Sequence, residues 1–136
     1  MHEDVERHMA QAEETVLLWS QHKVSLANSA KGDDDQDLVN AGLNCFSFYY
    51  SAKYSKWNFD RYLRYPDQYK IEYSINKKVR DLLDELKTIE NESRVLWHLV
   101  EGKLKKSLPK PEWKKYFSAV EAKYGSPRYA VDLGPI

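Results

Sequence analysis

Eleven aromatic side chains fall between Phe46 and Tyr73, and five cations are threaded among them. Tyr49, Tyr50, Tyr54, Tyr62, Tyr65, Tyr69 and Tyr73 stand beside Phe46, Phe48, Trp57 and Phe59, interleaved with Lys53, Lys56, Arg61, Arg64 and Lys70. A flat ring stacks on a nucleobase while a neighbouring cation neutralises a phosphate, so the mixture meets the demands of a platform for single-stranded nucleic acid. It meets those of a protein interface equally, because tyrosine, tryptophan and arginine offer large, rigid contact area with a polar tip. A third reading places the rings in a tyrosine-rich core whose hydroxyls reach the rim. One helix face cannot bury eleven rings in twenty-eight residues, so some are expected to be exposed or to meet another chain.

A second cationic stretch comprises Lys103, Lys105, Lys106, Lys110, Lys114, Lys115 and Lys123, against Glu112 and Glu121. Lysines at a helix C-terminus complement its dipole, and the same run suits an acidic protein or a phosphate backbone. The chain carries 21 basic and 21 acidic residues, so no global field singles out a nucleic acid or an anionic membrane. Neutrality hides an asymmetry. Residues 1–40 hold nine acids against Arg7, Lys23 and Lys31, and the remainder has a compensating excess of six cations, so the two parts attract.

His2, His8, His22 and His98 are the side chains that titrate near neutrality unaided. Asp4 with His8, and His98 with Glu101, are spaced to share a helical face and to offer a carboxylate and an imidazole to a metal. A di-iron bundle needs Glu-x-x-His on two helices and none occurs, so neither a metal nor another cofactor is expected. Helical ribonucleases of the HEPN type use an arginine and a histidine with a longer spacer; Arg94 and His98 are separated by Val95, Leu96 and Trp97, one residue short of that motif. The two still share a face, and a dimer bringing two such pairs together is the enzymatic alternative, with Arg94 and His98 as its catalytic candidates. No nucleophile elbow, phosphate loop, dinucleotide fingerprint or Cys-x-x-Cys pair is present.

The elements that must carry these residues are helical. Val5, Met9, Ala12, Val16, Trp19, Leu26 and Ala30 recur at four-three spacing, with Lys23 the one polar step, which predicts a first helix closed by Gly32 and the acids Asp33, Asp34 and Asp35. A second helix is predicted from about Gln36 to Trp57, on Leu38, Ala41, Cys45, Phe48 and Ala52. Asn58 to Tyr65 reads as an irregular connection, because a residue before proline is pushed out of the helical region. Pro66 then opens a third helix to about Lys106 on Ile75, Val79, Leu82, Leu86, Ile89, Ser93, Leu96 and Val100. A helix of that length either bends or breaks, between Glu90 and Ser93, or projects and pairs with another copy. Pro111 opens a fourth helix ending at Gly125. Each helix carries one tryptophan, Trp19, Trp57, Trp97 or Trp113; the second and last lie near helix ends beside lysines and are the better candidates for exposed anchors.

The expected fold is therefore all-α: about four long antiparallel helices with coiled-coil-like seams, residues 1–125 forming one domain and 126–136 an extended tail. Lone Cys45 excludes an internal disulfide and reads as a buried thiol in a reducing, cytoplasmic setting; the start reads as neither a signal nor a transit peptide, and no segment has the apolar run of a membrane span. The expected function is non-enzymatic, that of a binding, adaptor or inhibitor protein, homodimeric, with a protein partner and no membrane. Its expected contact residues are Tyr49, Tyr50, Tyr54, Lys56, Trp57, Arg61, Tyr62, Arg64, Tyr65 and Tyr69, joined by Lys105, Lys106, Lys110, Lys114 and Lys115. The alternative is a helical protein that binds RNA or single-stranded DNA through the same positions.

Overall fold

A computed structural model describes residues 3–124, which form four helices: α1 (Glu3–Lys31), α2 (Asp35–Arg64), α3 (Tyr73–Ser107) and α4 (Lys110–Tyr124). The all-α fold holds, and no strand occurs among the described residues. The predicted tail, and Gly125 as the stop of α4, lie outside them.

The seam predicted for α1 is the one that packs: Val5, Met9, Ala12, Trp19, Leu26 and Ala30 are buried, while Lys23 points to solvent. Asp34 caps α2, its side chain accepting from the Asp37 N–H at 2.9 Å, and Asp35 and Asp37 sit in the first turn where the helix dipole favours anions. α2 turns back against α1, and α3 turns back against α2, so α1 and α3 run in the same direction. α2 and α3 share the largest contact, and α1 packs against both. Edge-to-face pairs knit the layers: Trp19 against Phe48 (5.2 Å between centroids) and Phe46 against Trp97 (5.1 Å). Leu86 and Leu104, both fully buried, each contribute roughly 1.5–3 kcal/mol by leaving water.

Three sequence expectations need correction. α2 does not stop at Trp57 but continues through Asn58–Arg64, because Phe59 and Tyr62 prolong the buried stripe, with Ser55 and Asn58 filling polar steps within it. Pro66 does not open a helix: Ile71 N–H donates to Pro66 O at 2.8 Å across a turn in which Lys70 takes a left-handed φ of 53°, and α3 begins at Tyr73. α3 does not break between Glu90 and Ser93. Ser93 is buried there, its hydroxyl donating to Ile89 O at 2.5 Å, and the helix is continuous over its 35 residues.

α4 is short and packs on α2 and α3 at the end where α3 finishes, so three long helices rather than four make the bundle. No helix among the described residues is long and apolar enough to cross a membrane.

Candidate functional site

The last two turns of α2, the turn after it and the first turns of α1 and α3 gather the aromatic residues at one end of the bundle. Tyr62 and Phe59 face inward and are fully buried. The Tyr62 hydroxyl forms a buried hydrogen bond with His8 Nδ1 from α1, and the two rings stack at 5.8 Å. Tyr69 meets Tyr62 edge-on at 4.7 Å. Arg61 lies over this floor: its guanidinium carbon is 5.0 Å from the Trp57 ring centroid, 5.5 Å from that of Tyr62 and 6.0 Å from that of Tyr69, while one nitrogen donates to Asn58 Oδ1 at 3.1 Å. At the same end of the bundle Trp57 (43% exposed), Tyr65 (51%), Tyr73 (88%) and Arg64 are open to solvent.

Burial holds the His8 imidazole below its ordinary pKa, with Arg7 and Arg61 acting in the same sense and Asp4 against them. Burial raises the Tyr62 phenol, so the floor carries a neutral imidazole against a protonated hydroxyl.

The other expected contact residues are dispersed. Tyr49 is buried, its phenol pushed up to about 12 by desolvation. Tyr50 and Tyr54 are half-buried, the former stacked with Phe46 at 5.9 Å and the latter 6.3 Å from Trp57. Lys56 is committed to Glu90 of α3 at 2.5 Å, an ion pair largely shielded from water. Lys105, Lys106, Lys110, Lys114 and Lys115 are exposed at the opposite end, where Lys105 pairs with Glu101 at 3.3 Å and rests 5.1 Å from the Trp113 ring. Tyr73 and Lys105 are thirty-two residues apart on one helix, about 48 Å, so the aromatic and lysine segments do not share a surface.

Arg94 and His98 are both exposed on α3, and Arg94 donates to Asn91 Oδ1 at 3.0 Å. The carboxylates spaced for metal binding have other partners: Asp4 takes Arg7 at 2.9 Å and Glu101 takes Lys105. Among the described residues no three His, Cys, Asp or Glu side chains converge as a metal would require. Cys45 is fully buried and its thiol is pushed up to about 12 by desolvation, the environment of an inert core residue.

Sequence reasoning missed two organising residues. His8 stood out only for its spacing from Asp4, whereas its partner, Tyr62, is fifty-four residues away. Arg61 was one cation among five, and nothing local to it signalled that three rings converge on it. No protein-family model, no curated protein and no solved structure matches this chain.

Proposed function

We propose that the protein is a non-enzymatic binding protein that docks on a protein partner through the aromatic end of the bundle. The observation that supports this is the exposure of Trp57, Tyr65 and Tyr73 at one end of the bundle, with Arg61 laid over Trp57 and over a floor of buried rings. Tryptophan, tyrosine and arginine dominate the energetics of protein interfaces, and a pre-organised platform loses little entropy on binding. Tyr62 and Tyr69 then act as supports beneath the surface.

The test is recovery of partners from native extract by the full chain, compared with Trp57→Ala/Tyr65→Ala. Both positions are exposed, so helicity by circular dichroism is expected to stay unchanged while the recovered protein falls at least tenfold, about 1.4 kcal/mol. Equal recovery by the variant removes these rings from the interface. Strong absorbance at 260 nm in the wild-type sample, with retention that collapses as salt rises, would favour the nucleic-acid reading instead.

A further inference from the structure

α1 and α3 run side by side in one direction. Lys103 Nζ donates to Gly32 O at 2.8 Å, and Ser107 donates to the Asp35 carboxylate at 2.9 Å where both helices finish. Between them lies an open, chiefly apolar groove of about 410 Å³. Trp19 and Val24 line its α1 wall, and Val95 and Leu96 its α3 wall. Its ridges are left in water: Val24 is 67% exposed, Val95 57% and neighbouring Leu99 38%.

We propose that this groove is the contact surface for a second copy of the chain, the two copies being related by a twofold axis parallel to the helices. The charges on the walls carry the argument. Lys23 stands on the α1 wall and Glu92 on the α3 wall, and among the described residues neither has an ion-pair partner within the chain. Rotation about such an axis places each α1 wall against the opposite α3 wall at the same level. Lys103 is level with Gly32, so Lys23 is level with residue 94, about 3 Å along the axis from Glu92 and within reach of a lysine side chain. Each Lys23 therefore meets the partner's Glu92, and symmetry makes the pair twice. A perpendicular axis brings no such pair together.

Gly102 adds an independent observation. It lies seven residues beyond Val95 on the same stripe of α3, inside a helix where glycine is costly, and a Cβ built there meets nothing within 4 Å among the described residues. A facing helix can approach closely at such a position.

Sedimentation velocity of the full chain over a concentration series tests the proposal. The wild type is expected to pass from monomer to dimer. Val95→Glu is expected to raise the midpoint concentration by about tenfold or more. Lys23→Glu is expected to raise it roughly three- to tenfold, and Lys23→Glu with Glu92→Lys to restore it. A wild type that stays monomeric overturns the proposal, as does a dimer indifferent to Val95→Glu or one that the double reversal fails to restore. Should Val95→Glu lose helicity, the charge-reversal series decides alone. The groove is separate from the aromatic end, so either result leaves the reading of that end intact.

Discussion

His8 is where a single side chain links packing to solution conditions. It is 7% exposed, stacked on Tyr62 and set edge-on to Tyr54 at 6.0 Å, and burial depresses its pKa below the unfolded value of 6.5. Above that value both states hold a neutral ring, and the stability of the contact is fully present. As pH falls through 6.5 the unfolded chain takes up a proton that the folded chain resists, so stability is lost down to the depressed folded pKa and then levels off. Urea unfolding at a series of pH values is expected to show this loss in the wild type. In His8→Gln that component is expected to disappear, and parallel curves would show that the folded imidazole takes up its proton as readily as the unfolded one. The sequence revealed the chemical types at this site and not their partners. Residue spacing reports neighbours on one helix, whereas the His8–Tyr62 contact depends on how two helices are registered.

At the level of helices, the connection between α2 and α3 is the least relaxed part of the backbone. Lys70 holds φ at 53°, where a Cβ crowds the following carbonyl at a cost of about 1 kcal/mol. Lys70→Gly removes that crowding and, after allowance for the greater freedom of glycine when unfolded, is expected to stabilise the chain by no more than about 0.5 kcal/mol in urea unfolding. Lys70→Val is expected to destabilise it; equal midpoints for the two would show that the turn adapts. Here, too, the sequence was least readable. The α1 and α3 seams were plain because apolar residues mark nearly every inward step. The end of α2 was not, because Ser55 and Asn58 hold buried steps and Pro66 suggested an earlier interruption. Asn58 settles its amide on Tyr54 O at 3.1 Å and on Arg61, which lets a polar residue continue a packed stripe.

Across the whole molecule, the two cationic regions belong to different environments. At the lysine end, Lys103 reaches Gly32 O and lies 3.9 Å from the Asp33 carboxylate, so the acid-rich turn after α1 faces the basic finish of α3. The opposite charges of the two parts of the sequence meet there, in exposed pairs that salt screens and that contribute little to stability. At the aromatic end Arg61 lies over the Trp57, Tyr62 and Tyr69 rings rather than over a carboxylate, and Arg64 is exposed beside it. A folded partner seated on Trp57 and Tyr65 cannot also span the roughly 48 Å to the far lysines unless it is itself elongated. Reversing Lys110, Lys114 and Lys115 to glutamate, all three exposed, is therefore expected to leave partner recovery within about twofold of wild type, because distant sites act independently. Combined with Trp57→Ala/Tyr65→Ala, the reversal is expected to add nothing to the loss. If it alone abolishes recovery, the ligand runs the length of the bundle, as a nucleic-acid strand does, and the docking surface is the whole side of the molecule rather than one end.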